Sequence, residues 1–372
     1  MAKALEPALQ PPKSKKYIVL APFRWLGSYW QGSWWHKTVA IIILFFLICA
    51  SIMYGIAVWY QHSHQDKPTE LGVSFIADYA TSLGLDAHQT YAAILNGLQV
   101  KHLRLVSYWS DIETSPGHYN FDELDYEMAQ AQVHGVKVSL AIGLRQPRWP
   151  ECHAPSWVDT TKPTEQWEPQ LISYLTAVIN RYKTNPALQS YQLENEFFNH
   201  FGECYNFDRG RLSSELELVK KLDTHHPVII SRSNNYAGLA LKKPLPDQIG
   251  ISVYRRVWDD QLTHRYFQYP FPSWYYGFLA GAEQILAGKP SIIHELQAEP
   301  WPPRGQSITN TSLAEQNKSF NAQRLTGNVK FAEQTGIKHI DLWGAEYWYY
   351  RMQVLHDPSV WNTAQQIFDP NK

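Results

Sequence analysis

Cysteine is nearly missing from this chain: there are three in 372 residues, and Cys49 lies inside an apolar run. That excludes a small scaffold held together by many disulfides and leaves Cys152 and Cys204 as the one remaining pair. An excess of charge of one sign is also lacking. Lys and Arg number 33 against 34 Asp and Glu, for a formal net charge of −1. No broad basic field results, and nucleic acid is not an expected partner. Neither G-x-G-x-x-G nor G-x-x-x-x-G-K-[ST] occurs, so the phosphate-cradling turns of nucleotide binders are absent. His294-Glu295 lacks the second His of H-E-x-x-H, and His225-His226 has no third ligand near it. No metal and no other cofactor is expected.

Aromatic side chains are plentiful, with 15 Trp and 22 Tyr. Some belong to a membrane interface. From Thr38 to Tyr60 there is no charged residue, and Ala40–Ala50 is almost wholly apolar; about 20 such residues span a bilayer. Lys3, Lys13, Lys15, Lys16, Arg24 and Lys37 precede the run, whereas Lys67 faces Asp66 and Glu70 after it. The positive-inside rule then predicts a cytoplasmic N-terminus and an extracytoplasmic bulk. Trp25, Tyr29, Trp30, Trp34 and Trp35 on one side, with Trp59 and Tyr60 on the other, read as interfacial belts. A cleaved signal peptide is the rival reading, but its polar leader would be unusually long and no small-x-small cleavage site follows. The expected organisation is a cytoplasmic juxtamembrane segment (1–37), a single anchor in the lipid bilayer (38–60), a polar linker (61–69) and a folded domain (70–372).

Within that domain, short β-rich apolar runs fall at Gly72–Phe75, Leu103–Val106, Val136–Ile142, Ser190–Leu193, Val228–Ile230, Ile249–Val253, Ser291–Ile293 and His339–Leu342. Helical patterns separate them: His88–Leu98, Glu123–His134, Glu165–Tyr182, Ser213–Leu222, Tyr276–Ala287 and Glu315–Thr335. Alternation of this kind predicts parallel βαβ units. With eight strands and no Gly-rich first turn, a (β/α)8 barrel is favoured over an open doubly wound sheet.

Active sites of such barrels lie at the C-terminal ends of the strands. The fourth predicted strand runs into Glu194-Asn195-Glu196, and the seventh into His294-Glu295. Carboxylates at strand tips are unfavourable unless solvated, paired or catalytic. Cleavage of a glycosidic bond needs two of them, one to protonate the leaving oxygen and one to attack the anomeric carbon or activate water.

These motifs resemble the clan A glycoside hydrolases, the (β/α)8 retaining superfamily that includes families 5, 39 and 42. Asn195-Glu196 matches the acid/base at the end of strand four, and Ile293-His294-Glu295 matches the nucleophile at the end of strand seven. Arg104 matches an Arg of strand two, Tyr254 a Tyr after strand six, and Trp343 a Trp ending strand eight. The stretch Tyr108–Glu113 followed by Pro116–Phe121 is similar to the clan's W-x-x-hydrophobic-E…P-G-x-Y-[DN]-F segment, and the likeness covers about residues 70–367. It implies that Arg104 and Tyr254 stabilise the Glu295 carboxylate. It also implies that Glu196 starts protonated beside Glu295. Asn195 would bind the sugar 2-hydroxyl and Trp343 would form the floor of the sugar subsite.

Plainer readings stand beside these. Either glutamate can be half of a rim salt bridge, and Arg104 can be an ion-pair plug of the barrel. Glu194 competes with Glu196 because it lies two residues earlier on the same strand face; Glu299 competes with Glu295 but is placed in a loop by Pro300. Trp149, His153 and Trp157 after strand three and Asn234-Asn235-Tyr236 after strand five sit at the catalytic rim, where Trp149 and Asn235 are candidate sugar contacts and packed loops are the alternative. Cys152 and Cys204 lie in the loops after the neighbouring strands three and four. In an extracytoplasmic setting they are expected to form a disulfide. The expected function is membrane-anchored, extracytoplasmic hydrolysis of a β-linked oligo- or polysaccharide with retention. Transglycosylation on the same site, or a silent membrane-displayed carbohydrate-binding protein, are the alternatives.

Overall fold

The structure, a computed structural model, describes residues 33–369 apart from 237 and 304. The basic residues Lys3 to Arg24 and the aromatics Trp25, Tyr29 and Trp30 lie outside the described residues. Helix α1 (Trp34–His64) has a window of mean hydropathy 2.8 and is long and apolar enough to cross a membrane, which fits a single-pass anchor or a signal sequence. It runs four residues into the stretch read as linker. The division between two compact units falls after Gly55. The turns from Ile56 belong to the second unit: Tyr60 is buried, and a Cβ on Gly281 would lie 2.9 Å from Ile56 and 3.1 Å from the Tyr60 Cβ. Helix α1 and the helix Ser273–Ala287 meet there because a side chain is missing.

All eight expected strands form, and they close into one parallel barrel. In chain order they are β1 (Glu70–Ser74), β2 (His102–Val106), β3 (Lys137–Ile142), β4 (Leu188–Leu193), β5 (Val228–Arg232), β6 (Gln248–Val253), β9 (Ser291–Gln297) and β10 (His339–Trp343). Around the barrel the order is β1-β10-β9-β6-β5-β4-β3-β2, each strand parallel to its neighbours. Seven of these neighbour pairs are consecutive barrel strands in the chain, and β1 with β10 closes the ring; this is the (β/α)8 connectivity. Every residue of β9 is buried, as expected for a strand covered on both faces.

Two local features differ from the sequence reading. An antiparallel hairpin, β7 (Arg256–Asp259) with β8 (Arg265–Gln268), stands on the loop after β6. Its strands, RVWD and RYFQ, carry too little apolar alternation to signal themselves. The helix expected over Glu315–Thr335 is two helices, Leu313–Ser319 and Ala322–Glu333. Between them Phe320 is fully buried in an extended conformation, and the Asn321 side chain caps the second helix by accepting from the Arg324 N–H. An anchoring aromatic and a cap break the helix without Gly or Pro.

Candidate active site

Glu295 ends the apolar run of β9, and its carboxylate is fixed from two sides. Arg104 on β2 donates from Nη1 to Oε1 at 2.7 Å, and the Tyr254 hydroxyl donates to Oε2 at 2.9 Å. Arg104 is almost wholly buried and spans the barrel mouth. Its Nε donates to Gln192 Oε1 at 2.7 Å and its Nη2 to Asn195 Oδ1 at 2.9 Å. One guanidinium therefore ties β2, β4 and β9 into one constellation, and Arg104 contacts a site carboxylate as well as bracing the barrel.

Glu196 follows β4. It is 6% exposed and Glu295 is 4% exposed, so both carboxyl groups are buried. Burial first, then the charge of Glu295, then that of Glu151 push the Glu196 carboxyl up to about 8. It is protonated at neutral pH, the state a general acid needs.

The backbone gives Glu194 and Glu196 different surroundings. Sequence spacing puts both on one strand face, but both residues adopt positive φ, +56° and +44°. The strand has ended, and the period-2 rule no longer applies. Glu194 turns away from the mouth and is fully buried against Arg211, with Nη1–Oε1 and Nη2–Oε2 both 3.0 Å; Arg211 also pairs with Glu215. It accepts the Leu144 N–H as well, at 2.6 Å. Glu194 is thus a structural anchor for the helix Arg209–Leu222. Left-handed φ at two bulky residues costs about 1–3 kcal/mol each, of the kind usually stored at functional sites.

Asn195, between them, is held on every side. Its Oδ1 accepts from Arg104, from Gln192 Nε2 (2.8 Å) and from Ser231 Oγ (3.2 Å), and its Nδ2 donates to Glu151 Oε2 (2.8 Å). Trp343 ends β10 and is 5% exposed; its indole N–H donates to Glu299 Oε1 at 2.9 Å, and the Arg148 guanidinium lies 4.6 Å from its ring centre. Trp149 is 67% exposed on the loop after β3. Asn235 is exposed after β5 and accepts from the Tyr269 hydroxyl at 2.6 Å. His153 and Trp157 are packing residues instead. His153 stacks on Tyr108 with ring centres 3.5 Å apart, and the Trp157 indole donates to the Glu113 carbonyl at 3.0 Å.

Glu113 itself explains the W-x-x-x-E…P-G spacing in physical terms. Its carboxylate accepts from the Trp109 indole and from the Gly117 N–H, both at 2.7 Å. The motif is a staple for the loop after β2.

Three site residues escaped the sequence reading. Glu299, which Pro300 places in a loop, does lie in the loop after β9, but it holds Trp343 and also accepts from Tyr79 (2.8 Å) and Arg148 (3.2 Å). Arg148 and Glu151 sit beside Trp149 with no motif to mark them. The one usable signal was Cys152: Cys152 and Cys204 form a disulfide, with Cα atoms 5.1 Å apart, which puts the residue before Cys152 next to the loop that follows Glu196.

Ligand-type side chains also meet at the opposite end of the barrel. His102, His339 and Asp341 bring their polar atoms within 4.8 Å of one another. His102 Nδ1 lies 2.7 Å and His339 Nε2 3.2 Å from Asp341 Oδ1, so both rings hydrogen-bond the carboxylate, while His102 Nε2 is buried without a partner.

No protein-family model matches the chain, and no curated protein matches it. Solved structures do. GH5_18 from Bifidobacterium longum subsp. longum ATCC 55813 aligns with a TM-score of 0.56 at 10% identity over 80% of this chain and 78% of that one. GH5_18 from Streptomyces cattleya, in complex with GlcNAc, aligns at 0.52 and 11% over 74% of this chain and 70% of that one. The chain spans only 40% of the length of a GH2 β-galacturonidase from Eisenbergiella tayi. What these likenesses establish is the fold: a (β/α)8 barrel like that of the GH5_18 structures.

Proposed function

We propose that the barrel is a retaining glycoside hydrolase acting on β-linked glycans, with Glu295 as nucleophile and Glu196 as general acid/base. The observation that carries this reading is the unequal treatment of two buried carboxyl groups, one of which feels the charge of the other. Glu295 is held by a guanidinium and a phenol, and Glu196 is kept protonated by burial and by the neighbouring negative charge. Opposite environments for two carboxyl groups mark an acid and a nucleophile.

In the first step a Glu295 oxygen bonds to the anomeric carbon as the glycosidic bond breaks, and the Glu196 proton goes to the departing oxygen. In the second, Glu196 takes a proton from water, whose oxygen replaces Glu295 at the anomeric carbon and regenerates both groups. Asn195, its amide oxygen already occupied, offers its remaining N–H to the sugar 2-hydroxyl. Trp343 supplies an apolar face beneath the ring, held in place by Glu299. Trp149 and Asn235 extend the contact surface at the rim.

Helix α1 supports an extracytoplasmic display of this domain on a single-pass anchor, with the basic N-terminal flank cytoplasmic. The polar linker and domain limits set out from the sequence belong to the same proposal, as does the pairing of Cys152 with Cys204 in an oxidising compartment.

The test is a screen of aryl β-glycosides with wild type, Glu196→Gln and Glu295→Gln, followed by NMR of the first-formed anomer. Sugar release with retention that is lost in both variants is the expected result. Release that survives both substitutions sinks the assignment. Saccharide binding without release in the wild type would make the protein a carbohydrate-binding module instead. New glycosides formed with added acceptor sugars would identify transglycosylation.

A further inference from the structure

One buried carboxyl group in the site has no part in the two-step scheme. Glu151, 7% exposed, lies on the loop after β3 between Pro150 and Cys152. Its position is built by several independent contacts. Its φ is +70°, its N–H donates to the Arg148 carbonyl at 2.8 Å, and its own carbonyl accepts from the Gln146 N–H at 3.0 Å. Across from it the Glu203 N–H donates to the Pro150 carbonyl at 3.0 Å, and the Cys152–Cys204 disulfide clamps the two loops together. Gly202 completes the contact. Any Cβ there would lie 2.9 Å from the Glu151 Cβ, so only glycine lets this loop close over Glu151.

The carboxyl group held this way points at Asn195, taking its Nδ2 hydrogen at 2.8 Å. Arg145 stands behind it at 3.9 Å. We propose that Glu151 is a positioning residue for the acid/base: it fixes the Asn195 amide and sets a third carboxyl group beside Glu196. The proposal rests on the reading of Glu196 as acid/base.

Two consequences follow from that placement. With Oδ1 of Asn195 held by Arg104, Gln192 and Ser231, Glu151 locks the amide from its other end by taking one of the two Nδ2 hydrogens, and so leaves only the second for the sugar. The second consequence is electrostatic. The charged and titratable groups around Glu196 are Glu295 from β9, Glu151 and Arg145 from the loop after β3, Tyr254 after β6 and Tyr269 after the hairpin. Of these, Glu295 and Glu151 oppose ionisation of Glu196. Burial first, then the Glu295 charge, lift Glu151 itself to about 7.

The experiment compares Glu151→Gln and Glu151→Asp in the full chain, measuring kcat/KM against pH. An activated aryl glycoside, whose leaving group needs little protonation, is run beside an alkyl glycoside, whose leaving group needs it fully. Glu151→Gln should move the alkaline limb to lower pH by on the order of one unit. It should also slow the alkyl substrate at least tenfold more than the aryl one. Glu151→Asp, which keeps the charge and withdraws it from Asn195, should leave the limb in place and lower the rate on the alkyl substrate. A Glu151→Gln limb at the wild-type pH, with both substrates slowed equally, overturns the proposal. Should Glu151→Gln fail to fold, Glu151→Asp decides: unchanged rates on both substrates overturn it. Activity surviving in Glu196→Gln and Glu295→Gln would be a different failure, that of the underlying reading.

Discussion

The two ends of this barrel bury carboxyl groups equally deeply and treat them in opposite ways. At the C-terminal end Glu196 is lifted to about 8 because what surrounds it, beyond the burial itself, is more negative charge from Glu295 and Glu151. At the N-terminal end burial would raise Asp341 too, but His102 and His339 more than offset it and hold the group well below its ordinary range. His339 in turn is lifted to about 10, its burial outweighed by Asp341 and Glu70. Burial alone therefore does not set the protonation state. It acts together with the sign of the nearest charges: Asp341 is packed against two histidines, whereas Glu196 has Glu295 and Glu151 beside it.

Glu295→Gln is the strongest way to break the comparison. It removes the proposed attacking group, and activity should fall by more than the ~10²–10⁴-fold expected for loss of general acid help alone in Glu196→Gln; steady-state kinetics on an alkyl glycoside ranks the two. At the other end Asp341→Asn should leave kcat/KM near wild type but cost about 3–5 kcal/mol in denaturant unfolding, since it strips a buried histidine of its countercharge. A drop in activity comparable to that of Glu196→Gln would erase the distinction between the ends.

Opening the clamp between the loops after β3 and β4 comes next. Replacing both Cys152 and Cys204 by Ser should cost about 2–4 kcal/mol in thermal or chemical unfolding and lower the rate on poor leaving groups.

The pH dependence sharpens the contrast further. Glu196 is raised above its unfolded value, so its contribution to stability is whole below about pH 4 and is lost as pH rises through about 8. Activity should fall as pH rises through about 8 and the acid loses its proton. Glu196→Gln should then unfold at higher temperature than wild type at pH 9, the reverse of its effect on turnover, and a calorimetric scan checks it. The smallest effect belongs to the rim: Trp149→Ala should raise KM by up to about tenfold, roughly 1.4 kcal/mol, with kcat nearly unchanged.

Much of this was legible in the chain. The eight strands are visible because each is a short β-rich apolar run between helical patterns, and the closed barrel follows from their number and alternation. The hairpin after β6 was not visible, because its pairing is local and its side chains half exposed. The break at Phe320-Asn321 was missed because neither residue forbids a helix; burial of one ring and one capping amide decided it. In the site, Arg104, Glu295 and Tyr254 come together as their strand positions suggested. Glu194 did not behave as period-2 spacing implies, because positive φ on both sides of Asn195 redirects it to Arg211. Glu151, Arg148 and Glu299 had no local pattern at all.

The sequence by itself determined which segments are strands, which apolar run can cross a bilayer and which strand ends carry acidic groups, since all of these depend on residue type and spacing along the chain. Only the tertiary structure decided which carboxyl groups face one another and which face Arg or His. That choice depends on distances between residues far apart in the chain, and on those distances the protonation states depend in turn.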